Sequence, residues 1–382
     1  MDALLLLFAL VAVFGVVVLP ILRRRRATQE FGRAAAAAQA QTRPHPVSLG
    51  KDTDTGPFPA GPDAMAGAGP GLVPVEQLDV RLPGPDPELV TALTEAQCDQ
   101  NWRPAGQLLA LTDDTELRWQ RVQSLAGAAA MELARHRATR TGTDAGWLRH
   151  WRMEEPKDPG GAQVYAQFLV WQAMADPSSA EHRIILEEAR TVCGEAAELA
   201  PRDPVPFITE LIIARGLGYP RPEFEALWEK VRERDPQHMG AHLAALTYLS
   251  EKWHGSRSEA DAFATAAAAT APEGSMLPAL PLFSVYEHLP EITLSPGVYT
   301  GAVVSDAIEA AQYAVNTARN GHPMEPHVRH LLLCFLVRAE RYPEAAEQVR
   351  VIDGYVGAIP WVDGDDPAAT YAAYRAMAIA GQ

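Results

Sequence analysis

Two histidines one helical turn apart, His238 and His242, are the first residues in this chain whose types and spacing could do chemistry. That interval lets both imidazoles reach one zinc ion from a single helix face. A zinc hydrolase of that design needs Glu directly after the first His to activate water, and Met239 stands there instead. His242 also borders the apolar stripe Met239, Leu243 and Leu246, which suits a hydrogen-bonded core histidine. Next comes the segment Lys252-Trp253-His254-Gly255-Ser256. Ser beside His invites a nucleophile and its base, but neighbours in sequence seldom reach the hydrogen-bond geometry that pairing requires. Turn chemistry accounts for the same residue types: Trp253 packs, Gly255 permits an unusual backbone angle, and Ser256 with Glu259 fits a helix-capping box. A recognition turn at Trp253, His254, Gly255 and Ser256 is the candidate site, and His238 and His242 form a candidate pocket with it. No catalytic, cofactor-binding or metal-binding set is assigned.

The remaining polar groups read more plainly. His322, His327 and His330 are interrupted by Pro323 and Pro326, and suit a solvated helix start. Glu154-Glu155 and Asp365-Asp366 read as loop solvation and capping. Gly67 to Gly71 lacks the Lys-Ser or Lys-Thr of a phosphate-binding loop. Cys98, Cys193 and Cys334 have no metal or redox spacing and read as reduced core cysteines, compatible with the cytoplasm.

The elements that must position these residues are helical. Ala and Leu dominate a hydrophobic content of 47%, and continuous Val/Ile/Thr runs are scarce. Asp-Pro pairs mark helix starts, because Asp accepts the first free N–H groups and Pro has none to leave unpaired. Asp86-Pro87, Asp203-Pro204, Asp235-Pro236 and Asp366-Pro367 all fit. The helices expected after Pro204, Pro222, Pro236 and Ser256 carry apolar stripes at helical spacing, such as Phe224, Leu227, Trp228 and Val231. Asp113 or Asp114 caps a longer helix. Trp147 and Trp151 share one face of another, and Gly160-Gly161 is expected to break the pattern that follows. Ser178 with Glu181 is expected to cap the helix running to Leu199.

The Asp203-to-Asp235 interval approximates one helix–turn–helix unit of the tetratricopeptide kind, whose period is about 34 residues. Near the end of the chain, Glu340-Arg341-Tyr342-Pro343-Glu344-Ala345 is similar to the interhelix turn of that repeat, with Ala345 as the small residue of the second helix. The early Trp and Gly of the repeat are absent. The Lys252-to-Ser256 segment with its flanking helices also resembles a group of uncharacterised bacterial helical proteins, and that likeness implies no catalytic residues. The tetratricopeptide resemblance implies a right-handed α-solenoid of helix–turn–helix repeats.

Ala3 to Leu22 is an almost unbroken apolar run of 20 residues, long enough at about 1.5 Å per residue to cross a bilayer core of roughly 30 Å. Arg23 to Arg26 follow it, where a signal peptide would place its basic segment first. The expectation is a single transmembrane helix with its N-terminus outside and the body in the cytoplasm. The chain divides into a membrane anchor with basic stop (1–26), a disordered Ala/Pro/Gly-rich tether (27–85) and a helical-repeat domain (86–382), with subdivision near 200 and 290. The net charge of −15 disfavours a nucleic-acid partner and favours a protein or peptide with a basic surface. The expected function is a membrane-anchored scaffold or adaptor. An enzyme or ligand-binding protein built around His238, His242, Trp253, His254 and Ser256, and a structural component of the cell envelope, are the alternatives.

Overall fold

The computed structural model describes residues 71–289 and 296–382. The expected membrane span, Ala3 to Leu22, lies outside the described residues, and no helix among those described is long and apolar enough to cross a membrane. The fold is all-α. Fifteen α-helices are present among the described residues, and a lone parallel bridge between Asp79 and Tyr355 is the extended pairing.

The first helices are α1 (Pro87–Cys98), α2 (Arg103–Ala110), α3 (Thr115–Thr139), α4 (Gly146–Glu154) and α5 (Pro159–Ala175). The middle of the chain supplies α6 (His182–Leu199), α7 (Val205–Leu217), α8 (Arg221–Arg232), α9 (Met239–Tyr248), α10 (Arg257–Ala269) and α11 (Leu280–Glu287). The last four are α12 (Ala302–Thr317), α13 (Glu325–Arg338), α14 (Tyr342–Ile352) and α15 (Pro367–Ala380).

Sequence sorts these helices into two kinds. α5, α7, α9, α11 and α13 are buried over most of their circumference, and all ten residues of α9 are buried. A helix of that type has no face to offer water and must be enclosed. α6, α8, α10, α12 and α14 bury a single stripe each, such as Phe224, Leu227 and Val231 on α8. The packing follows this division: α3, α5, α7, α9 and α11 stack one on the next, while α6 and α8 flank α7 and α10 flanks α11. One contiguous buried cluster runs from Leu78 to Ala378.

Several helix boundaries differ from the sequence expectation, each for a local reason. Asp86, Asp114 and Asp366 do cap α1, α3 and α15, accepting from the N–H groups of Leu89, Leu117 and Ala369. Asp235 instead closes a turn by accepting from Gln237 N–H, and α9 starts later, capped by the His238 ring. Gly160-Gly161 does not break a helix. Asp158 caps α5 one residue before Pro159, and the two glycines lie inside its first turn against the Trp151 indole, where a Cβ on Gly161 would sit 3.0 Å from Trp151 Nε1. Ser178 bonds to Asp176 at the end of α5, and α6 begins at His182 without a side-chain cap.

Residues 71–85, expected in the tether, are part of the folded body. Proline and glycine content suggests too little burial to order this stretch, but Leu78 and Leu82 are buried against the C-terminal helices. This strap, joined by backbone bonds to the loop after α14, brings the beginning of the body onto its end.

Candidate functional site

The first two turns of α3 form the junction that organises the histidines. Thr115 Oγ1 donates to Asp235 (2.6 Å), Arg118 pairs with Asp203 (3.2 Å), and Gln120 Nε2 donates to the Pro323 carbonyl (2.7 Å). Arg121 pairs with Asp86 (2.9 Å) and Glu88 (2.8 Å), and Asp114 pairs with Arg319. One helix start thereby holds the starts of α1, α7 and α9 and the approach to α13. Glu116 is the innermost member. Its carboxylate accepts from the N–H groups of Met239 (2.7 Å) and Gly240 (2.8 Å) at the start of α9, with His238 Nδ1 at 3.2 Å. Burial pushes the Glu116 pKa up, against the opposing pull of His238 and the two N–H groups.

His238 and His242 are spent within this core. His238 Nδ1 lies 3.1 Å from Ala241 N and 3.2 Å from the Glu116 carboxylate, and Nε2 lies 3.3 Å from the Thr115 carbonyl oxygen. His242 donates from Nδ1 to the His238 carbonyl (2.9 Å) and lies edge-on to Trp228, and burial lowers its pKa to about 4. Among the described residues, no group of three or more His, Cys, Asp or Glu is placed to hold a metal ion.

The Lys252-to-Ser256 segment is a latch between helices. His254 Nε2 donates to the Arg215 carbonyl at the end of α7 (2.8 Å), and the Arg215 guanidinium lies 4.7 Å from the Trp253 ring centroid. Lys252 Nζ donates to the Glu287 carbonyl at the end of α11 (2.6 Å). A Cβ on Gly255 would fall 2.1 Å from the Leu249 carbonyl oxygen, so only glycine closes this turn. Ser256 accepts from Glu259 N–H and caps α10, as its spacing predicts. The structure thus places His238 and His242 at the α3–α9 junction and His254 at the end of α7, with Ser256 on an exposed cap; it does not gather them around one space.

Two other sequence readings need correction. His322, His327 and His330 do not form a solvated helix start; all three are buried, and desolvation lowers their pKa values to about 4, 3 and 4 respectively. Cys193 and Cys334 are buried, but Cys98 is exposed at the end of α1, where the periodic pattern has already run out.

A recess of useful size lies at the seam where strap meets body. A cleft of about 570 Å³ is bounded by residues 82–89, by Gln120 and Arg121 on α3, and by Pro326 and Arg329 on α13. Beside it is a polar clasp that sequence reasoning missed. Asp353, partly buried, and Arg375, buried, pair at 2.8 Å, and each spends a further bond on the backbone of Val73. A partial signal was present in Arg375, set in an otherwise apolar helical pattern, but the Val73 backbone lies some 300 positions away and no local spacing records it. No protein family, curated protein or solved structure matches this chain.

Proposed function

We propose that this chain is a membrane-anchored scaffold: a solenoid of tetratricopeptide-like helix pairs, held by a tether to a single N-terminal span, that presents its surface to a protein or peptide partner. The observation that carries this reading is the employment of its chemistry-bearing side chains. Glu116, His238 and His254 each bond one helix to another, His242 bonds within its own helix and packs edge-on to Trp228, and Ser256 caps α10. A hydrolytic or transfer site needs a nucleophile, a base and a polarising group converging on one open space, and those residues are distributed over separate junctions. The stacking of alternate apolar helices, each flanked by an amphipathic one, supports the repeat reading.

The net charge of −15 favours a partner with a basic surface, acting mainly on the rate of association. The test is co-purification from detergent-solubilised membranes across a salt series. A basic protein retained at low salt and released as salt rises supports the scaffold. Retention of nothing, or of partners insensitive to salt, overturns the acidic-surface reading. The orientation is checked by treating whole cells with a membrane-impermeant thiol label after Ser48→Cys in a Cys98→Ser background. Labelling from outside would place the body in the envelope and favour the structural alternative.

A further inference from the structure

Residues 72–83 are held as a peptide ligand is held. Asp353 Oδ2 accepts from Val73 N–H (2.5 Å) while Arg375 Nη1 donates to Val73 O (2.6 Å), so one part-buried ion pair grips both backbone polar groups of a single residue. Tyr371 OH donates to Asp353 Oδ1 (3.1 Å) and fixes the carboxylate. The grip continues as backbone pairing with the loop after α14: Asp79 N–H to Gly354 O (2.8 Å), Val356 N–H to Asp79 O (2.8 Å) and Gly357 N–H to Leu82 O (2.9 Å). Approach this close excludes a side chain, and a Cβ on Gly357 would lie 2.5 Å from Leu82 N. The Leu78 and Leu82 side chains supply the apolar anchors, and His330 Nε2 donates to Pro83 O (3.1 Å). Main-chain bonds that give affinity and pockets that give specificity are the terms by which sheet-edge domains bind extended peptides.

We infer that this seat on α13–α15 is an extended-peptide groove, and that it takes the same strap from a second copy of the chain by exchange. Three observations point to that occupant. The groove is complementary to Val73, Leu78 and Leu82 in one register, and a second copy carries that sequence by construction. The strap joins the body through Gly84 and Pro85 alone, because Asp86 beyond them is fixed to α3 by Arg121. That connection lies between Pro326, against which Gly84 packs, and the 570 Å³ cleft that both of its residues line. Exchange recovers every strap contact and alters only the hinge, which makes it a low-cost route to a dimer. The inference stands on the strap and its seat and does not depend on the scaffold reading.

The test uses the full chain in detergent with Cys98→Ser throughout, and exploits the bridge between Asp79 and Tyr355. A chain carrying Asp79→Cys is co-expressed with a differently tagged chain carrying Tyr355→Cys and oxidised. Exchange yields a disulfide-linked dimer, and the yield is lost when Tyr355→Cys is replaced by Leu199→Cys on the exposed end of α6. A single chain carrying both cysteines reports the register. Closure within that chain without any dimer from the mixed pair overturns exchange, and closure in neither overturns the register itself. Should a cysteine unfold the chain, a second pair asks the same question. Leu78→Asp/Leu82→Asp breaks the strap of one chain, and Asp353→Asn/Arg375→Gln breaks the seat of the other. Co-purification of these two above the level seen when both carry one lesion supports exchange, and no gain over that level refutes it.

Discussion

Acid should destabilise this fold, and His330 is one of the groups responsible. This imidazole is fully buried on α13, with Trp361 and Tyr371 edge-on to it. Its Nδ1 accepts from the Trp361 indole N–H at 2.8 Å, which leaves Nε2 to carry the proton toward Pro83 O. Protonation would set a donor at Nδ1 against the indole donor and place a charge in the core. Burial accordingly lowers the pKa to about 4, against about 6.5 for an exposed histidine. A folded-state pKa below the unfolded one means the unfolded chain binds more protons across the window between them. The stability due to neutral His330 is therefore complete above about pH 6.5 and is lost as pH falls toward about 4, a total of about 3 kcal/mol. His242, His322 and His327 act with the same sign, so the whole chain should lose stability steeply there. The raised Glu116 pKa acts against them. His330→Gln isolates one contribution, because the amide can donate to Pro83 O and accept from Trp361 without titrating. Urea unfolding of the full chain in detergent, followed by helical circular dichroism across that window, should show the parent losing about 1.4 kcal/mol more per pH unit than the variant. Parallel pH profiles for the two would refute the reasoning.

Other perturbations address the junctions one at a time. Glu116→Ala removes the acceptor of two buried N–H groups at the start of α9 and should cost about 3 kcal/mol, whereas Glu116→Gln, which keeps an amide oxygen there, should cost less; urea midpoints decide between them. Gly357→Ala drives a methyl into the strap backbone, and overpacking of that kind should cost about 2 kcal/mol and speed hydrogen exchange at Asp79 and Val356. Ser256→Ala removes the cap of α10 and should cost about 1 kcal/mol, read as a lowered melting temperature with the rest of the chain unaltered.

Local chemistry was the legible part of this fold. Asp86 and Asp366 announce their helices because a cap is an agreement between residues three positions apart, and Trp147 with Trp151 does so because both lie on one buried face. Gly160-Gly161 misleads for the opposite reason. Glycine is a poor helix former on its own, yet here the missing Cβ atoms admit Trp151, and packing overrides propensity. Asp235 fails as a helix cap because His238 takes that role, and a histidine cap carries no common sequence signature. The candidate turn from Lys252 to Ser256 was visible for its residue types, but its purpose as a latch depends on Arg215 and Glu287, which spacing alone does not associate with it. The clasp made by Asp353 and Arg375 was harder to read, since its third member stands about 300 positions earlier in the sequence.

That separation also sets an order of events during synthesis. Val73 leaves the ribosome 280 residues ahead of Asp353 and 302 ahead of Arg375, the two groups that grip it. At about 5–20 residues per second, the strap waits for roughly 15–60 s before its seat exists. Helices α1 to α12 can pair with their neighbours as they emerge, while Leu78 and Leu82 remain without the surface that later covers them. Closure of the strap is thus a late step of maturation, and a nascent chain passes through a period in which Leu78 and Leu82 lack the surface that later buries them.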